Sequence, residues 1–501
     1  MAMATETERS IPLWRRLLVI TAWFTLGLVI LVVALYLVMR QQYTSRLERV
    51  LKELDEKDPT WRWEKMLEAR PVLKPGEDNS EIVLRISRAI PRSWPDHKLD
   101  EKLQNLAPNM KLDAPRQEAL QKILAVPPVP RLRDEARTLV NFPRGRIEVE
   151  MAENPMMTLL PNHQKVREIA ALLRYDILDR LSRGKFDEAA DSVHAMLNLS
   201  NVLDDDPFLI GQLIRIAVAA IALADTERIL AQGELSDAKL AHLQKLLQHQ
   251  MASTRMELAM RGERWFLHKT IVSITQGKFS TDEFAGLAGG GGMGGNSVWN
   301  WFMALGSREM ARREHPQALE TMTRVVDATR LPIKEQFAAE AAIDADVRTK
   351  GGPMLRLLLP ATSKVNEAAR RSVCAATAMH ALLGVERYRL KHGKWPAKLD
   401  DCVPAFLNKV PVDPIDEAPL RYKRLPDGVV VYSIGNDRKD DGGDVERMQK
   451  DFGYRLWNKD RRGIAPPPLP PEPAPMPGPG GPGAPGDGGP GGAGGPGEPN
   501  E

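Results

Sequence analysis

A chain of 501 residues can hold two or three domains, and with 43% apolar residues it can bury a sizeable core. Its net charge of only +3, the lack of a long Lys/Arg run and an aromatic share of 6% give no basis for a nucleic-acid surface. Cys374 and Cys402 are its two cysteines, and with no CxxC and no Cys/His cluster a structural zinc site is not expected.

Taken from the start, residues 1–16 are expected as a cytoplasmic N-terminus and Leu17–Met39 as a transmembrane signal anchor. The span carries no charge, and at ~1.5 Å rise per residue it is long enough for a ~30 Å hydrocarbon core. Trp14, Trp23 and Tyr36 lie toward its ends, where interfacial aromatics sit. It exceeds the ~7–15 apolar residues of a cleaved signal peptide, so it is expected to stay uncleaved. Arg9, Arg15 and Arg16 precede it; Arg40, Arg46, Arg49, Lys52 and Lys57 follow. Counting positive charges therefore does not decide the direction. The expected location is the inner membrane, single-pass, with the bulk of the chain outside the cytoplasm and the lipid bilayer as one partner.

Residues 40–160 read as a membrane-proximal, mostly helical region punctuated by Trp and Pro. A polar helix continues to residue 57, another is expected near 80–90, and a third opens at Asp113 with Pro115 near its start. The fragment RIEVEM at 146–151 suggests one short strand.

Residues 161–360 read as an α-helical domain, a bundle or irregular solenoid. Val166, Ile169, Ala170, Leu173 and Ile177 recur at helical spacing, Gly184 breaks the helix, and the next begins at once. The turn RLSRGKFDEAADSVHAML resembles that of a tetratricopeptide-type hairpin, although no 34-residue period exists. The apolar stretch from about Phe208 to Ala224 is interrupted by Arg215 and is expected as the buried central helix, not a second span. Gly233 stops it and Ser236 caps the next helix. The run GLAGGGGMGG at 286–295 is expected as a flexible loop; no Lys-Ser/Thr pair follows to make it a phosphate loop. Helices are expected again over 307–328 and from Pro332 to about Thr349.

Residues 361–463 form an α+β module: an amphipathic helix over 364–392, a Pro-rich loop, and a β-hairpin turning at Pro426-Asp427-Gly428. Residues 464–501, dominated by Pro and Gly, are expected as a disordered tail. The fold class is thus mainly α: a transmembrane helix, a helical bundle or solenoid, a helix-plus-hairpin module and a tail.

The module carries Tyr388-Arg389, Gly393, Trp395-Pro396, Val410-Pro411-Val412-Asp413-Pro414 and Tyr432-Ser433-Ile434-Gly435-Asn436-Asp437. In this order the phrases resemble the C-terminal part of the major pseudopilin of type II secretion, over about 80 of the 501 residues. The N-terminus departs from that family: Phe24-Thr25-Leu26 lies inside the span, with Trp23 before it and Leu28 in place of the expected Glu. Pilus-type processing is therefore not expected. The layout as a whole also resembles a class of membrane-anchored proteins of planctomycete-type bacteria that end in this module; that resemblance supplies no activity.

In the pseudopilin family the last loop binds calcium. By resemblance Asp437, Asp440, Asp441 and Asp444 would be the metal ligands here, with Gly442-Gly443 allowing a tight turn. Arg438 and Lys439 oppose such a site, and an ordinary solvated acidic turn is the competing reading. Cys374 and Cys402 both fall in the module, either paired or as separate buried thiols.

No catalytic or cofactor-binding residue is expected. The nine histidines are scattered, there is no HExxH and no GxSxG, and six residues separate Cys374 from His380 on one helix. Glu263 and Glu386, each followed by Arg, read as surface ion pairs. The leading expectation is a non-enzymatic envelope scaffold or interaction protein with an unidentified protein partner. The alternatives are an accessory component of a type II secretion or type IV pilus-like system, and a hydrolase using the cleft between helical domain and module.

Overall fold

The computed structural model describes residues 13–153, 155–251, 255–278, 297–446 and 450–469. The glycine-rich run 286–295, the first twelve residues and the tail beyond 469 lie outside the described residues. The fold is mainly helical with one small antiparallel sheet.

The first helix, α1 (Leu13–Lys57), is 45 residues long. With no proline in it and only Gly27 to weaken it, it runs for about 68 Å. Its large apolar residues from Leu17 to Met39 all face outward, with Phe24 75% exposed. The C-terminal half docks instead. Val50 and Leu54 share a cluster with Trp61, Trp63, Phe208, Trp265 and Leu319. The helix ends one residue short of Asp58-Pro59, because the residue before a proline disfavours the α conformation. Asp58 then accepts hydrogen bonds from Arg261 and Arg264, fastening the turn to the body.

Short helices follow: α2 (Trp63–Glu68), α3 (Ser80–Ala89), α4 (His97–Glu101), α5 (Ala114–Ala125) and α6 (Val129–Arg137). Asp113 caps α5 by accepting from the Arg116 backbone N–H, with Pro115 in the first turn. The expected strand at 146–151 does not form; the segment is extended but unpaired. The alternation is used differently. Ile147 enters the main core, while Val149 and Met151 pack on the tryptophan cluster.

The helical run comprises α7 (Pro161–Ser182), α8 (Phe186–Ser200), α9 (Leu209–Gln232), α10 (Asp237–Gln250) and α11 (Arg255–Thr275). Gly184, at φ +70°, makes the α7–α8 turn in the left-handed region that other residues avoid. Ser236 caps α10. The most apolar window of α9 is 61% buried, against 0% for α1, so α9 is a core helix despite its composition. Arg215 inside it is satisfied by Gln212 and Gln250.

After α12 (Ser297–Arg330) and α13 (Ile333–Lys350) comes α14 (Pro353–His392), which begins eleven residues before the expected helix start at 364. Gly393, at φ +70°, ends it with its N–H on the Arg389 carbonyl. Strands β1 (Arg421–Leu425) and β2 (Gly428–Ser433) form the expected hairpin, with Leu425 opposite Gly428. A third strand, β3 (Phe452–Trp457), pairs antiparallel with β2 and was not expected. The sheet is therefore three-stranded, in order β1-β2-β3. The outer edge of β3 is covered by α9, where Glu227 accepts from the Arg455 N–H at 2.9 Å.

One hydrophobic core runs through regions far apart in sequence. It holds Leu120 of α5, Leu173 of α7, Leu230 of α9, Leu382 of α14, Val431 of β2 and Leu456 of β3. The described residues up to Pro466 accordingly form one compact unit. Ile464, at the expected start of the tail, still bridges to Met110 and belongs to that unit.

Candidate functional site

The acidic loop after β2 is built by side chains folding back on its own backbone. Asp437 accepts from the Lys439 N–H at 3.1 Å, and Asp440 from the Gly442 N–H at 2.9 Å and the Tyr432 hydroxyl at 3.0 Å. The fully buried Asp451 accepts from the Gly443 N–H at 2.8 Å. Gly442 and Gly443 both take positive φ, as the tight turn requires.

Two ammonium groups reach into the loop. Lys450 pairs with Asp444 at 3.0 Å and holds its carboxyl below the usual carboxylate range. Lys423 donates to the Gly442 carbonyl at 3.0 Å. Arg438 turns away, its guanidinium over the Phe337 ring at 5.4 Å. Calcium needs ~6–8 converging oxygens. Among the described residues no group of three or more His, Cys, Asp or Glu is arranged to hold a metal.

The Val-Pro-Val-Asp-Pro phrase has a structural use. Asp413 is fully buried, and its carboxylate accepts from the backbone N–H groups of Ile415 and Ile434, both at 2.9 Å. It also takes the Ser433 hydroxyl at 2.6 Å and the Arg421 guanidinium at 2.5 Å. One side chain thus rivets the Pro-rich loop to the end of β2. Such a carboxylate has its lone pairs spent on positioning.

Beside this rivet lies a cleft of about 640 Å³ between α10, α14 and the loop, lined among others by Gln244, His380, Arg387, Phe406 and Lys409. Asp413 and Glu417 are its acidic lining residues. The first points into the protein, as described, and the second pairs with Lys334 at 3.2 Å. The cleft therefore presents no pair of free carboxylates facing one another. Cys374 is elsewhere, packed with Ile415, Ile434 and Phe452, so it makes no dyad with His380. Both cysteines are free and buried, in separate clusters, and burial pushes each thiol up to about 12.

Other charged groups that could suggest chemistry are structural on inspection. Glu386 is not a surface residue: it is fully buried and bridges Arg389 and Arg462, both within α14's C-terminal surroundings. Arg462 also donates to the Gly233 carbonyl, tying the end of the chain's compact unit to the end of α9. Glu263 does not pair with Arg264; it accepts from the Leu209 N–H at 3.3 Å, at the start of α9. Asp176, also buried, gathers Arg137, Arg180 and the Ser192 hydroxyl. His268 and His315 meet ring to ring at 2.9 Å, with Trp61 edge-on to His268. Burial pushes these imidazoles down to about 3 and about 4, so the pair is neutral at pH 7.

Sequence reasoning missed Glu227, whose carboxyl burial pushes up to about 7 against the edge of β3. Its signal was a Glu on the buried side of an apolar helix, two residues from Asp225, which burial raises to about 6. No family model, no curated protein and no solved structure matches this chain.

Proposed function

We propose that this chain is a membrane-anchored, non-enzymatic scaffold or interaction protein of the cell envelope, held in the inner membrane by residues 17–39 with its bulk outside the cytoplasm. The observation that carries the reading is the contrast within α1. Its first half exposes every large apolar residue, while its second half is fixed to a compact body. In water such an exposed stripe is untenable; in a bilayer it is the solvent-matched surface. The buried carboxylates and histidines are engaged in positioning, which leaves the helical faces as the surface for a protein partner.

The test is fractionation with topology. Resistance of the full chain to alkaline carbonate extraction, with protease access to the body from the periplasmic side, is the expected result. Release into the supernatant overturns the anchor, and protection of the body overturns the orientation.

A second reading, accessory component of a type II secretion or pilus-like system, is favoured by one observation: α14 packs on an antiparallel sheet that follows a Pro-rich loop, as the resemblance implies. Co-purification of pilin-like proteins with the full chain supports it, and their absence after crosslinking removes it.

A further inference from the structure

Between α1 and α12 lies a crevice of about 650 Å³, lined by Gln41, Ser45, Arg46 and Arg49 on one side and Glu320 and Arg324 on the other. Its height above the bilayer is set by α1, which passes from the span into the crevice wall without a break. At ~1.5 Å per residue, Gln41 stands about 3 Å and Arg49 about 15 Å beyond Met39. The headgroup layer adds roughly 5–8 Å to each side of the hydrocarbon. The lower mouth therefore opens inside that layer, and long arginine side chains above it can reach down to it.

The charge balance favours an anion. Arg46, Arg49, Lys57 and Arg324 line the crevice against Glu53 and Glu320. Both carboxylates are already engaged, Glu320 by Arg46 and Glu53 by Lys57. Arg324 is paired from outside the crevice by Asp346 at 2.7 Å. Arg49 has no acidic partner among the described residues. Deeper in, Val50 and Leu54 supply an apolar wall.

We propose that this crevice binds the headgroup of an anionic phospholipid, its phosphodiester meeting Arg49 and its acyl chains remaining in the bilayer beside the span. The proposal rests on the anchor reading above. A zwitterionic lipid offers the same phosphate but adds an ammonium that the excess of arginine repels. Free phosphate shares the chemistry, yet it gains nothing from a mouth that opens into the lipid layer.

The test reconstitutes the full chain in vesicles of equal phosphatidylglycerol and phosphatidylcholine, extracts it gently, and measures the lipids that stay bound. Phosphatidylglycerol should be enriched, and Arg49→Gln should lower the enrichment about fivefold, the usual weight of one basic side chain at an anionic surface. Lys394→Gln, an exposed cation far along the chain, should leave it unchanged. Equal retention of the two lipids, or equal loss in the two variants, overturns the crevice. Displacement of the lipid by excess inorganic phosphate assigns the site to the free anion and also overturns it. A chain that washes out of the vesicles altogether sinks the anchor reading, and the crevice with it; one that stays without lipid preference sinks the crevice alone.

Discussion

Two helices of this protein, α1 and α9, both have the length and hydropathy to cross a membrane, yet the fold treats them oppositely. The α1 window is wholly exposed, whereas α9 is wrapped by α7, α8 and α14 and touches β3. What separates them is where polar groups fall. From Leu17 to Met39 there is no charge to satisfy. In α9, Arg215, Asp225, Glu227 and Arg228 punctuate the apolar face, and the body supplies partners: Gln212 and Gln250 for Arg215, the Leu106 carbonyl for Arg228, the Arg455 N–H for Glu227. Composition gives the same answer for both helices; the presence of built partners distinguishes them.

The comparison breaks most sharply with a carboxylate placed in each helix. Ala222→Asp in α9 buries an unpaired charge at a fully buried position. It should cost about 3–5 kcal/mol of folding stability, read from the urea midpoint of the body. Val29→Asp in α1 should leave that midpoint unchanged while weakening insertion by about 2.5–3.5 kcal/mol, seen as a larger carbonate-extractable fraction. Equal effects of the two on the urea midpoint would mean that α1 is also part of the folded core.

Next in size is the buried ion pair that closes the unit at the end of α9. Glu386→Ala leaves Arg389 and Arg462 without their shared carboxylate and should destabilise by about 3 kcal/mol or more. A loss under about 1 kcal/mol, the size of a surface pair, would return Glu386 to the role the sequence suggested.

A smaller effect sharpens the α9 side. Glu227 binds its proton more tightly folded than unfolded, since burial raises its carboxyl from 4.5 to about 7. Its contribution to stability is complete below about pH 4.5 and declines as pH rises to about 7, because the folded state holds the extra proton in that window. Glu227→Gln keeps an acceptor for the Arg455 N–H and should flatten the decline between those pH values. Thermal midpoints of the two proteins that run parallel from pH 4.5 to 7 would show that Glu227 is ionised throughout. The smallest effect concerns the acidic loop: with Lys450 on Asp444 and Lys423 on Gly442, millimolar calcium against chelator should leave the midpoint where it is. A reproducible calcium-dependent rise would show that the lysines yield to the ion.

Elements specified by near neighbours were legible in the sequence. The uncharged span, the glycine turn at 184, the cap at Ser236 and the Pro-Asp-Gly hairpin each depend on residues within a few positions, and each is present. The misses depend on distant partners. Strand β3 is buried at every position but Arg455, and its pairing is decided by β2 across the acidic loop. RIEVEM alternates, yet it stays unpaired. The calcium expectation for the aspartate loop rests on carboxylates close in sequence, and the melt with calcium and chelator is what tests it. Two lysines reach into that loop from β1 and from beyond it, contacts that depend on distant partners. In the sequence Asp413 stands only as part of the Val-Pro-Val-Asp-Pro phrase, and its burial follows from Arg421 and Ser433 being brought to it by the fold.

On the proposed anchor reading, the unbroken course of α1 makes this helix a mast rather than a tether. A Gly/Ser linker would let the body sweep a volume above the membrane, whereas a continuous helix sets its height and its azimuth together. At 3.6 residues per turn, removing one residue between Arg40 and Tyr43 would turn the body by about 100° relative to the span and lower it by about 1.5 Å. A partner fixed in the same membrane would then meet a different face. Removing four residues would nearly restore the original heading at a height about 6 Å lower. On that same reading, the spacing of the few polar residues after Met39 sets which face of the body is turned toward a neighbour in the bilayer.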